Sequence, residues 1–122
     1  LLEALKETNI PLAVASSSDL AEIEFFLAKS GIRKYFTVLA AGDEVANSKP
    51  APDIFKLAAE RLGMPGTACL AIEDSNHGVL AASEAGMKVV MTPGPAGATD
   101  RSRELADIPD SVFQCTMAHF AG

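Results

Sequence analysis

Four short apolar runs constrain this chain more than any other feature: "PLAVASS" at Pro11–Ser17, "TVLAAG" at Thr37–Gly42, "ACLAIED" at Ala68–Asp74 and "KVVMT" at Lys88–Thr92. Each is too short for a buried helix and reads as a strand covered on both faces. Between them, apolar residues recur at helical spacing. One stripe is Leu20, Ile23, Phe26 and Leu27, a second is Ile54, Leu57, Ala58 and Leu62, and a third helix spans Asn76 to Ala85. Strands alternating with helices imply an α/β fold, with a parallel sheet between two helical layers. The punctuation agrees. Asp19, with Glu22 three residues on as in a capping box, suits a helix start, and Gly31, Gly63 and Gly86 suit helix ends. A helix over Leu1–Thr8, a short one near Arg101–Leu105 and a weak strand at Ser111–Cys115 complete the expected elements.

There is no internal repeat and no linker, so residues 1–122 read as one domain or part of one. A hydrophobic content of 48% is ample for a core. Net charge is −6 with no basic stripe, which argues against nucleic-acid binding but leaves room for a local anion site. Cys69 and Cys115 form no CxxC and read as reduced packing thiols. No apolar run approaches membrane-spanning length and no signal peptide is visible, so the expected location is the cytoplasm.

In parallel α/β sheets, ligands collect beyond the carboxyl ends of the strands. The unusual residues of this chain fall there: Ser16 and Ser17 after the first strand, Lys49 in "NSKPAPD", and adjacent Glu73 and Asp74 after the third. Singly, each has an ordinary explanation. Strand-end serines form turns, a loop lysine is solvated, and acids before a helix can cap it. Jointly they place hydroxyls, an ammonium and two carboxylates on one rim. Hydroxyl and ammonium donors suit phosphate oxygens, and paired carboxylates suit a hard cation such as Mg²⁺.

The segments "VASSS", "SKPAPDIF" and "AIEDSNHGVLAASEAGMKVV" resemble, in order and spacing, three motifs of the haloacid dehalogenase superfamily. The likeness is to its β-phosphoglucomutase-like and sugar-phosphate phosphatase branch, over about Leu2 to Pro93. It implies a three-layer Rossmann-like core and a Mg²⁺-dependent phosphatase of small phosphorylated metabolites. Ser16 would bind the transferring phosphoryl group, aided by the Ser17 backbone; Lys49 would bridge that phosphate and the nucleophile; Asp74, with Glu73, would hold Mg²⁺ directly or through water. Ser75 and Asn76 read as caps of the next helix, and His77 as a solvent-facing side chain.

Members of that family carry an aspartate nucleophile in a D-x-D-G motif on a first, central strand, followed in this branch by a helical cap. Neither occurs in this chain, which also begins within a helix and without Met. The expectation is the back part of a core domain, inactive alone, with about ninety further N-terminal residues in the native protein. Without the first strand, a slot of about 10 Å should lie between the strands at Pro11–Ser16 and Ala68–Glu73. It would close, be filled by the missing N-terminal segment or a second chain, or remain an edge. A phosphomutase is the nearest alternative activity. Mutases place Lys and Asn just after the second-motif serines, where this chain has Asp19 and Leu20. A signalling receiver domain is disfavoured because Lys49-Pro50 precedes the acidic pair. A non-catalytic binding or assembly protein is a further alternative.

Overall fold

A computed structural model describes residues 1–121. Strand β1 (Ala13–Ser16) runs parallel to β2 (Val38–Ala41), and β3 (Leu70–Glu73) runs parallel to β4 (Lys88–Met91). Helix α1 (Leu2–Glu7) precedes β1, α2 (Leu20–Ser30) crosses from β1 to β2, and α3 (Asp53–Leu62) leads toward β3. Helix α4 (Asn76–Glu84) crosses from β3 to β4, and α5 (Asp100–Leu105) and α6 (Val112–Ala121) follow.

Strand periodicity sorts the side chains into layers. In β1 and β2, Val14, Leu39 and Ala41 pack with Ile23 and Leu27 of α2. The alternate residues Ala13, Ala15 and Ala40 pack with Ile54, Phe55, Ala58 and Ala59 of α3. Ala71 of β3 and Val89 and Met91 of β4 join that second cluster, with Val79, Ala81 and Ala82 of α4. Helix α6 packs against β4. The small residues of β1 and α4 let the backbones approach closely, and Ile54, only 2% exposed, anchors the larger cluster. Its truncation to Ala would cost about 2–5 kcal/mol.

Among the described residues, no backbone ladder joins the two strand pairs. Instead β1 and β3 both line a cavity of ≈ 610 Å³, together with Leu2 and Leu5 of α1 and Thr116 and Phe120 of α6. Ile72 of β3 is 43% exposed there, although it lies mid-strand.

Three local expectations are corrected. Ser111–Cys115 is not a strand: its residues fall in α6 and the turn before it, where Ser111 Oγ accepts from Gln114 N–H. That serine start outweighs the β preference of Val112 and Phe113. Phe26 is 64% exposed rather than packed, because α2 meets the sheet only through Ile23 and Leu27. Asp19 Oδ1 accepts from Glu22 N–H at 2.8 Å, but the reciprocal half of a capping box is absent among the described residues. Asp43 Oδ1 serves the adjacent Leu20 N–H instead. Cys69 is the expected free packing thiol: it packs, partly buried, against the larger cluster beside the slot, where burial pushes its thiol up from the ordinary value.

Candidate functional site

The carboxyl ends of β1 and β3 and the loop before α3 meet at one rim. Lys49 sits in that loop, followed by a cis peptide to Pro50. Asp53, the first residue of α3, fixes the loop by accepting from the backbone N–H and the side-chain amide of Asn47, at 3.2 and 3.1 Å. Pro52, just before it, has no N–H to leave unpaired at the helix start. The Lys49 ammonium lies 5.0 Å from the centre of the Phe55 ring and donates to Glu73 Oε2 at 2.9 Å. Both side chains of this ion pair are largely shielded, at 13% and 9% exposure.

Glu73 is held from the other side as well. Its Oε1 accepts from Asp74 N–H at 3.1 Å and from the backbone N–H and hydroxyl of Ser75, each at 3.4 Å. Gly78, in the first turn of α4, makes room for it: a β-carbon there would collide with the Glu73 carboxylate. The carboxylate therefore lies beneath the helix with its oxygens engaged. Asp74 differs. It is exposed, and its carboxylate makes no hydrogen bond among the described residues.

A cavity of ≈ 540 Å³ opens at this rim, lined by Ser17, Lys49 and the stretch Asp74–His77, with Gly94–Gly97 closing it. Ser17, Lys49 and Asp74 are thus brought together. Ser16 does not line the cavity; its Oγ accepts from Ser18 N–H at 3.2 Å and shapes the turn after β1. That turn is pressed against the end of β2, where Gly42 N–H donates to Ser18 C=O at 2.8 Å and a β-carbon on Gly42 would strike the Ser17 carbonyl. His77 is exposed and lines the cavity.

Asn76 does not cap α4. Ser75 does, its Oγ accepting from Gly78 N–H at 3.0 Å, and the Asn76 amide reaches across to the loop after β4. The roles of Asn76, Gly78 and Gly42 all depend on contacts distant in sequence. Only the glycine directly after "NH" hinted at one of them, a close approach over the acidic pair.

Among the described residues there is no group of three or more His, Cys, Asp or Glu side chains that could hold a metal ion. Among the described residues, this rim offers one free carboxylate, Asp74, beside one ammonium, Lys49. A hard cation such as Mg²⁺ uses one or two protein carboxylates and takes the remaining oxygens from phosphate and water. Asp74 fits that role; Glu73, engaged by Lys49, does not fit direct ligation.

The haloacid dehalogenase-like hydrolase family matches residues 1–92, three quarters of the chain and all of this rim up to Thr92. The chain belongs to that family. It is 42% identical over 122 residues to the protein CbbY of Rhodobacter capsulatus, covering 97% of this chain and 54% of that one. It is 45% identical over 80 residues to the fructose-1-phosphate phosphatase YqaB of Escherichia coli, covering 66% and 43%. The crystal structure of a putative β-phosphoglucomutase from Thermotoga maritima superposes with a TM-score of 0.84 at 30% identity, covering 97% of this chain and 56% of that one. The Rossmann-like α/β architecture is therefore that of the family, and the chain spans about half the length of these relatives.

Proposed function

We propose that the protein is a phosphatase of small phosphorylated metabolites such as sugar phosphates, acting at the rim formed by Ser17, Lys49 and Asp74. The observation that carries the reading is the Lys49–Glu73 pair. A shielded carboxylate holds an ammonium at the mouth of a cavity whose other charged wall is a free carboxylate. Phosphatases among the relatives support the same reaction class.

In this reading Lys49 donates to a phosphoryl oxygen and offsets its charge, and Glu73 keeps the ammonium in place. Ser17 supplies a further donor, and Ser16 shapes the turn that places it at the rim. Asp74 would hold Mg²⁺, which when bound would neutralise phosphoryl charge. The nucleophile is an aspartate carried by a further parallel strand seated between β1 and β3. Attack of its carboxylate oxygen on phosphorus breaks the ester P–O bond, the departing oxygen takes a proton from a second aspartate on that strand and leaves as the alcohol, and water then hydrolyses the aspartyl-phosphate to inorganic phosphate. That strand belongs to an N-terminal segment of the same protein or to a second chain. A mutase reading is weaker, because Asp19 ends the turn after Ser16 with its carboxylate and would repel a second phosphate.

The test is hydrolysis of an aryl phosphate by the protein at its full natural length. Chelation should abolish activity and Mg²⁺ restore it. Lys49→Ala and Asp74→Asn should each lower kcat/KM by about 10²–10³. Variants that keep activity within about threefold of wild type would overturn the assignment.

A further inference from the structure

Among the described residues no group bonds the Asp74 carboxylate, so its place at the rim is set by its main chain. That main chain is held at both of its polar groups. Asp74 N–H donates to Glu73 Oε1 at 3.1 Å, and Asp74 C=O accepts from Gly94 N–H at 3.1 Å. Gly94 opens the turn after β4, and Gly97 N–H closes it by donating to Gly94 C=O at 2.9 Å. Gly97 C=O accepts in its turn from the Asn76 Nδ2–H at 3.0 Å. The hydrogen bonds therefore run from Asp74 through Gly94 and Gly97 back to Asn76, two residues further along the chain. They close a ring at the strand end that carries the free carboxylate.

Asn76 contributes the one side chain in that ring, and its other end is anchored. Its Oδ1 accepts from Thr99 N–H at 2.9 Å and from the Ser102 hydroxyl at 2.7 Å. Ser102 is fully buried, and Thr99 Oγ1 both accepts from Ser102 N–H and donates to Ser102 Oγ. Without the amide, the turn would keep two main-chain bonds to the end of β3. These are Gly94 N–H to Asp74 C=O and, at 2.9 Å, Thr92 N–H to Glu73 C=O. Its far end, at Gly97 and Thr99, would be untied from α4.

We propose that Asn76 is a positioning residue: through the turn it fixes the Asp74 main chain, and so tunes the rim for Mg²⁺ over a larger divalent cation. This rests on the reading of Asp74 as a Mg²⁺ ligand and adds the residue that sets its rigidity. Mg²⁺ demands near-ideal octahedral geometry at short metal–oxygen distances, whereas Ca²⁺ accepts longer and more variable ones. A carboxylate on a loosened main chain therefore loses more for the smaller ion than for the larger. Groups that orient a ligand from behind commonly control metal affinity in this way.

The experiment follows the Tm of the protein at its full natural length as Mg²⁺ or Ca²⁺ is added without substrate, which gives the affinity for each ion. Asn76→Ala should weaken Mg²⁺ binding by about tenfold and Ca²⁺ binding by less than about threefold. Ser102→Ala removes one of the bonds to Oδ1 and keeps the donor to Gly97, so it should shift the same ratio in the same direction by less. It is the variant to read if Asn76→Ala does not fold. A merely structural loss would lower the Tm of the metal-free protein and leave the preference between the ions intact. Equal losses for both ions, or none for either, overturn the proposal, and Mg²⁺ binding by the wild type then leaves the phosphatase reading standing. A wild-type protein that binds no Mg²⁺ overturns the metal role of Asp74 and this proposal with it.

Discussion

Strand β3 passes from one kind of environment to another within four residues. At its carboxyl end, Glu73 is gripped by Lys49, by two backbone N–H groups and by a hydroxyl, under a helix turn that admits no extra carbon. Along Leu70–Ile72 the same strand has β4 on one side and an apolar cavity on the other. The rim is over-determined and the slot is under-filled. Polar groups at the rim satisfy one another inside the chain, whereas the strand edges at the slot present unpaired donors and acceptors to whatever enters. A site can thus be assembled to the level of tenths of an ångström while the sheet that supports it still has an open place.

The largest effect expected from breaking this contrast is at the rim. Glu73→Ala would leave the shielded Lys49 ammonium unpaired and cost about 3–5 kcal/mol in urea unfolding. A loss below about 1 kcal/mol would mean that the pair is as dispensable as an exposed one.

A smaller effect, with a diagnostic sign, belongs to the slot. Thr116 is 1% exposed, lines the slot, and its hydroxyl has no partner among the described residues. Thr116→Val should stabilise the 122-residue chain by about 1 kcal/mol, by removing an unsatisfied polar atom at nearly constant shape. Destabilisation in the protein at its natural length would show that something in the slot bonds this hydroxyl.

The smallest effect lies away from both regions, where Arg61 bonds Glu44 and the carbonyl of Leu39. The Arg61 guanidinium, then the Ala41 N–H, lowers the Glu44 carboxyl below its ordinary value of 4.5. A carboxylate with a depressed folded pKa adds stability that is present above the unfolded value and lost as pH falls through the folded one. The Tm gap between wild type and Glu44→Gln should therefore be full at pH 7 and shrink on acidification below about pH 4.5. A gap that persists at pH 3 would assign the effect to packing.

How much of this the sequence carried depends on range. Strand and helix placement followed from apolar spacing, and three rim residues were legible too, Ser17 and Asp74 from their positions just past strand ends and Lys49 from the loop before α3. What escaped were contacts between segments far apart along the chain. Nothing near Asn76 announces that its amide will reach Gly97 and Thr99, and "SVFQC" carries a strand-like composition that only the Ser111 cap and packing on β4 override. Glu73 and Asp74 look equivalent on paper. Only burial separates them, one turned under α4 toward Lys49 and the other left in the open.

The absence of a ladder between the strand pairs also bears on how such a chain folds. β1 pairs with β2 in the register Ala13 to Val38, and β3 with β4 in the register Leu70 to Lys88. Each pair is closed across its own crossover, and α3, packed on β1, β2 and α4, sets the spacing between the two halves. These crossovers are shorter than the link from β1 to β3 and so lose less chain entropy on closing. Any strand seated later between β1 and β3 would meet both edges already formed and would convert two halves into one cooperative unit. Its docking, rather than the folding of either half, would then set the rate at which the rim becomes complete.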